Sequence, residues 1–264
     1  MIAKRIITAV VLGGLLLLVL LRAPVSWSLV LITVAILLSA WEWSAFLRAP
    51  QALVRPLYVL AIAALLYGSW RVSATSAGLT QVLLVALAWW VLALVWIMFL
   101  PGRMTRPLAW ATGALVLVPA WVALMRLRLD WPRGAEWTLF LLLLVWAADT
   151  GAFIAGKAFG RHKLAPRVSP GKTWEGAVGG LLLGAVLAVL AARWFVQPVV
   201  SFVALSLVVV VFSIIGDLTE SMLKRYAGLK DSGQLIPGHG GLMDRMDSIT
   251  AAAPMLVLGL RLLP

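Results

Sequence analysis

Residues 199–224 read VVSFVALSLVVVVFSIIGDLTESMLK. Up to Gly216 the run carries no charge, and then Asp217, Glu220 and Lys224 arrive together. Crossing about 30 Å of hydrocarbon at about 1.5 Å per residue takes roughly 20 apolar residues in a helix. The run is continuous rather than alternating, which excludes the strand of a membrane β-barrel. In lipid the backbone must satisfy its own hydrogen bonds, so a helix is what remains. Asp217, Glu220, Ser221 and Lys224 stand at i, i+3, i+4 and i+7, on one face of that helix. The stretch is therefore a membrane helix whose end carries a polar face.

The rest of the chain follows the same pattern. Of 264 residues, 63% are hydrophobic and 12% charged. An ordinary soluble domain has about 25% charged residues, so a water-soluble globule is excluded. Spans are expected at 6–21, 25–46, 53–70, 80–100, 108–125, 137–156, 174–193, 199–222 and 248–263. Breaks carry proline or charge, at Pro24, Pro50, Pro101-Gly102-Arg103, Pro132-Arg133 and Pro198. Lys4 and Arg5 precede the first apolar run as in a signal peptide. A second run follows directly after Arg22-Ala23-Pro24 without a small-residue cleavage site, so an uncleaved first span is expected. There is no cysteine, which removes disulfides and thiolate chemistry. The expected fold is all-α: a polytopic transmembrane helical bundle of about nine spans. Residues 1–264 are expected to form a single integral membrane domain, with 1–135 as N-terminal membrane helices and 136–264 as the membrane portion that carries any catalytic site; the C-terminal half of the chain forms a polar cavity facing the cytoplasm.

With nine spans, 15 of the 22 Lys and Arg residues fall on the side of the N-terminus and seven on the other. The positive-inside rule puts the N-terminus and the loops 157–173 and 223–247 in the cytoplasm. The formal net charge of +12 then reflects basic loops facing anionic lipid, not nucleic acid.

Charge is concentrated where the bundle meets that side. Residues 217–247 hold five of the ten acidic side chains and four of the 22 basic ones. Asp149 lies inside an apolar run, where an ionisable group needs a partner or a polar cavity; Lys157 is the nearest base in sequence. The loop 157–173 carries Lys157, Arg161, Lys163, Arg167 and Lys172, and Lys172-Thr173-Trp174-Glu175 opens a helix whose free N–H groups suit an anion. Gly176, Gly180 and Gly184 recur every four residues, the spacing of close helix packing. His239 stands between glycines that allow close backbone approach, and no second histidine or cysteine nearby supports zinc. Asp244 and Asp247 share a helix face. Carboxylates hold a hard cation such as Mg²⁺, Lys and Arg neutralise phosphate oxygens, and glycine amides cradle them. A loop of mutually satisfied ion pairs is the plainer alternative, but it leaves acids at the membrane border unexplained.

The stretch from Ser221 to Asp247, SMLKRYAGLKDSGQLIPGHGGLMDRMD, resembles the signature of the phosphatidate cytidylyltransferase (CDP-diacylglycerol synthase) family: S-x-apolar-K-R, four residues, K-D, then H-G-G-apolar-x-D-R-apolar-D. The upstream DTGAF…GK…FGRHKL…SPGKTWEG also resembles it, with Gly171 standing where members often carry a second lysine. The likeness covers 149–248; the first five spans share only hydropathy. It implies the reaction of CTP with phosphatidic acid to give CDP-diacylglycerol and pyrophosphate, a Mg²⁺ requirement, with or without a monovalent cation such as K⁺, and a homodimer. The implied metal ligands are Asp217, Asp244, Asp247, Glu220 and Asp149. The implied catalytic groups are Asp217, Lys224, Arg225, His239, Asp244 and Arg245. The implied substrate contacts are Ser169, Lys172, Ser221, Lys230, Gly240 and Gly241, with Asp231 ordering the loop or serving as an outer ligand of the metal. A bacterial inner membrane is the expected location. The alternatives are a CTP-dependent polyprenol- or phytol-type lipid kinase and, in another class, a membrane transporter.

Overall fold

The computed structural model describes residues 2–236 and 240–263, with the side chains of 2–10 and 12 left aside. His239 therefore lies outside the described residues. Among these residues the chain forms nine α-helices: α1 Ile2–Leu21, α2 Val25–Trp43, α3 Gln51–Val72, α4 Ser76–Phe99, α5 Arg106–Asp130, α6 Gly134–Phe159, α7 Trp174–Trp194, α8 Val199–Ala227 and α9 Met243–Leu262. A 3₁₀ turn, Ser44–Leu47, continues α2. Prolines 24, 50 and 198 sit immediately before α2, α3 and α8. A residue with fixed φ and no N–H costs least there, because the first amides of a helix have no intrahelical acceptor.

Seven helices, from α2 with its 3₁₀ extension through α8, are long and apolar enough to cross a membrane. The fold is an all-α polytopic membrane bundle, as expected. Among the described residues, length and composition pick out these seven and leave the count of nine spans unconfirmed. α9 falls short because it opens with Asp244, Arg245 and Asp247 and carries Arg261 near its end. It can be less apolar than its neighbours because protein, not lipid, surrounds it: Ile249 through Leu258 are buried, and α9 packs against α8, α5, α4, α6 and α2. The outer helices show the reverse pattern. Leu60, Leu92, Leu182 and Leu190 are all more than half exposed, as lipid-facing side chains are.

Two helix contacts set the site's frame. α6 and α7 approach closely through small residues; a Cβ on Gly180 would stand 2.8 Å from the Ala148 carbonyl oxygen. Gly176 meets α6 in the same way, while Gly184 turns toward Val210 of α8. The four-residue glycine spacing is therefore a packing stripe, as read from the sequence. α8 and α9 also pack extensively, so the α9 carboxylates face those of α8. α9 also contacts α2, α4 and α5 from the first half of the chain.

The C-terminal ends of α2, α4, α6 and α8 gather at one end of the bundle. Arg48, just past α2, stacks 4.4 Å from the ring centroid of Tyr226 in α8. Glu42 of α2 reaches the start of α9. A two-stranded antiparallel hairpin, β1 Lys163–Ala165 and β2 Ser169–Thr173, joins α6 to α7 at the same end. It is the one named pair of strands among the described residues, in a stretch expected to be loop. Its register pairs Lys163 with Thr173 and Ala165 with Ser169, with a bulge between. α7 opens at Trp174, where Thr173 Oγ1 accepts a hydrogen bond from Gly176 N at 3.1 Å. That cap takes one of the amides expected to be open to an anion.

Candidate active site

α8 is 29 residues long, about 43 Å at the usual helical rise and longer than the hydrocarbon is thick. Its last turns therefore carry charge past the apolar layer, and Gly228, in the left-handed region at φ 73°, ends them. On the inner face, Lys224 Nζ donates to Glu220 Oε2 and to Asp244 Oδ1 of α9, both at 2.7 Å. Lys172, on β2, reaches Asp217 Oδ2 at 2.5 Å, and Ser221 Oγ donates to Asp217 Oδ1 at 3.4 Å. Asp217 and Lys172 line a cavity of about 440 Å³ with Asp149, Lys157 and Thr173. Asp149 faces Asp217, Lys172 and Arg245 electrostatically. Lys157, its expected partner, lies instead over the Phe153 ring at 5.8 Å.

The α9 acids are held differently. Asp244 Oδ2 accepts from the backbone N–H groups of Gly241 at 2.9 Å and Ser232 at 3.1 Å. Burial pushes the Asp244 carboxyl up, but the Lys224 ammonium and these amides outweigh it, holding the group below the usual carboxylate range. Asp247 is buried, and its Oδ1 accepts from Ser248 N at 2.7 Å. The Asp247 and Glu220 carboxyl groups face one another. Glu220 Oε1 is buried without a hydrogen-bond donor.

Among the described residues, the carboxylates Asp149, Asp217, Glu220, Asp244 and Asp247 are met by Lys172, Lys224 and Arg245, with Lys157 lining the same cavity as Asp149 and Asp217. Two buried carboxyl groups face to face, one with an oxygen lacking a donor, call for a proton or a cation between them. The donor set is all oxygen, which fits a hard divalent ion. Among the described residues, however, no three acidic or histidine side chains already converge as a ligand set. Lys224 lies between Glu220 and Asp244, and Lys172 holds Asp217.

Other expected residues are placed elsewhere. Arg225 follows Lys224 directly, but consecutive helix positions lie about 100° apart. Its side chain lines a separate cavity with Arg103 and Arg167. Lys230 is exposed in the loop after α8, and Ser169 begins β2, paired with Ala165. Gly240 bridges Ile236 by accepting its N–H at 3.0 Å.

Glu42 is a residue that sequence reasoning passed over. It lies in α2, 3% exposed, inside a stretch read only as a span. Its Oε2 accepts from Met243 N, at the start of α9, at 2.7 Å and from Ser232 Oγ at 3.4 Å. The carboxylate thus holds both the first turn of α9 and the loop that supplies an amide to Asp244. Space there is tight: a Cβ on Gly241 would stand 2.0 Å from Ser232 Oγ and 2.7 Å from Glu42 Oε2. Glu42 is a positioning residue for the α9 carboxylates. The signal was present, since an acid inside an apolar run is costly unless it is used.

The model of the cytidylyltransferase family matches residues 3–263. The phosphatidate cytidylyltransferase of Haemophilus influenzae is 39% identical over 283 aligned residues, covering 96% of each chain. That of Pseudomonas aeruginosa is 42% identical over 270 residues, covering 97% of this chain and 95% of its own. That of Brucella suis is 46% identical over 144 residues, about half of each chain. A match across nearly the whole length includes the N-terminal helices that the signature alone did not reach, and with it the chain belongs to the cytidylyltransferase family.

Proposed function

We propose that this protein transfers the cytidylyl group of CTP to phosphatidic acid, giving CDP-diacylglycerol and pyrophosphate. The observation that carries the reading is the site's position and charge. An acid-rich cluster with interleaved lysines stands where a membrane helix leaves the apolar layer. A lipid phosphate and a water-soluble nucleotide can meet there.

The phosphatidic acid phosphate oxygen attacks the α-phosphorus of CTP in line. The bond from that phosphorus to the bridging oxygen breaks, and pyrophosphate leaves with the electron pair. The nucleophile is already an anion, so no general base is required. The obstacle is repulsion between anions and the charge growing on the leaving group, which positioning and charge neutralisation overcome. Lys172, Lys224 and Arg245 supply positive charge beside the cavity. Asp217, Asp244, Asp247 and Glu220, with Asp149 behind them, are the groups that would hold Mg²⁺. Held by these carboxylates, such an ion would supply charge neutralisation for nucleotide oxygens and the pyrophosphate leaving group. Glu42 keeps the α9 carboxylates in register.

The site faces the cytoplasm, where CTP is made, in a bacterial inner membrane, and the protein acts as a homodimer. The basic bias of the loops at the site's end supports that orientation. The test uses purified protein in micelles with phosphatidic acid, Mg²⁺ and either α-³²P- or γ-³²P-labelled CTP. The expected result is α-label in the lipid fraction, abolished by EDTA, and γ-label in pyrophosphate. With a polyprenol or other lipid alcohol in place of phosphatidic acid, γ-label in lipid would establish a lipid kinase instead.

A further inference from the structure

The second cavity at this end holds about 560 Å³ and shares no lining residue with the cavity of Asp149, Lys172 and Asp217. Three elements build it. The α4–α5 connection contributes Arg103, the hairpin contributes Arg167, and the end of α8 contributes Arg225 and Tyr226. Among the described residues no acidic side chain lines it. Among the described residues none of these three guanidinium groups has an ion pair or side-chain hydrogen bond. A fourth, Arg48, stacks on Tyr226. Like charges from distant parts of the chain repel, and packing of the helices alone gives them no reason to share one cavity. A shared anion does. Guanidinium groups match phosphate oxygens through paired N–H donors.

The rim says what carries the phosphate. Phe99 and Leu100, at the end of the membrane-crossing helix α4, line the same cavity and are 68% and 43% exposed. An anion with an apolar tail satisfies both halves, with its head among the arginines and its chains along α4. We propose that Arg103, Arg167 and Arg225 form a phosphate-binding pocket separate from the carboxylate cluster, and that its apolar rim selects a phosphate carried on a lipid. A soluble phosphate, such as that of a nucleotide, offers the same head chemistry without the tail.

Binding is read without turnover, so the test does not depend on the transfer reaction. Purified protein in uncharged detergent with EDTA is titrated calorimetrically with dihexanoyl phosphatidic acid, dihexanoyl phosphatidylcholine, glycerol 3-phosphate and CTP. The wild type is expected to bind phosphatidic acid at least tenfold more tightly than the zwitterionic lipid or glycerol 3-phosphate. Arg103→Gln with Arg167→Gln should weaken phosphatidic acid binding about tenfold or more and leave CTP binding within twofold. Each single substitution should weaken it severalfold, which keeps the test open if the double variant melts early. Arg103→Lys with Arg167→Lys keeps the charge but loses the planar fork, and should recover only part of the affinity. Unchanged phosphatidic acid binding in the glutamine variants would overturn the pocket. Full affinity in the lysine variant would reduce it to diffuse charge. Loss of CTP binding with phosphatidic acid retained would overturn the lipid assignment.

Discussion

The two ends of the bundle use charge in opposite ways. At the end holding the α5–α6 turn, Arg126, Arg128, Arg133, Glu136 and Arg261 find partners within the chain. Arg133 pairs with Glu136 and donates to the Trp194 carbonyl at 3.1 Å, while Trp194 Nε1 donates to Glu136 at 2.7 Å. Arg261 donates to Ser76 Oγ at 2.7 Å and Thr80 Oγ1 at 3.1 Å, tying α9 to α4. Arg128 meets Ser28, and Arg126 meets Ser73 and Asp130. At the other end, among the described residues, five carboxylates cluster around Lys172, Lys224 and Arg245, Glu220 Oε1 has no donor, and three arginines line a cavity without an acid. Charge satisfied within the chain stitches helices together. Charge left over within the chain is charge arranged for something that binds.

The sharpest way to break this contrast is at the carboxylates. Asp217→Asn or Asp244→Asn should lower kcat for cytidylyl transfer by about 10³-fold or more, with the protein still folded and in the membrane. Radiolabel transfer to lipid, beside a thermal melt, checks it. Retained activity would move that residue from the ligand set to the scaffold.

A second substitution tests whether the register of α9 matters. Glu42→Ala leaves the Met243 and Ser232 donors without their buried acceptor, a cost of about 1–3 kcal/mol. Activity should fall about tenfold or more, with a raised Mg²⁺ requirement because Asp244 and Asp247 are misplaced. Glu42→Gln keeps an acceptor and should restore much of the melting temperature. Equal Mg²⁺ titration curves for Glu42→Ala and wild type would leave Glu42 a purely structural role.

The smallest effect belongs to the other end. Glu136→Gln removes the charge from an exposed pair that solvent screens. Turnover should stay within twofold of wild type in the same assay. A large loss of activity would mean that the two ends are coupled.

Much of this was legible in the chain because hydropathy and helical spacing are local signals. The run 199–222 and the face Asp217, Glu220, Ser221, Lys224 needed only the rise and turn of a helix, and α8 carries them as one helix. The hairpin at 163–173 was not legible. Its strands are three and five residues long, with Ser169-Pro170-Gly171 inside, and their pairing depends on where α6 ends and α7 begins. Glu42 was hidden by its neighbours, since a lone acid among AWEWSAF barely lowers a window's hydropathy. The meaning of its burial comes from Ser232 and Met243, about 190 and 201 positions away. The separation of Lys224 from Arg225 was legible in principle from the helical turn. That Arg103 and Arg167 join Arg225 was not, because three unrelated segments meet only in the folded bundle.

The most direct test of the central claim, that the carboxylate cluster at one end is arranged to hold a cation, reads metal binding itself. Mn²⁺ is titrated into the purified protein with CTP present, and bound ion is followed by electron paramagnetic resonance in wild type, Asp217→Asn and Glu136→Gln. The account predicts stoichiometric binding in wild type and Glu136→Gln, and loss of that binding in Asp217→Asn. Equal binding in all three proteins would contradict it.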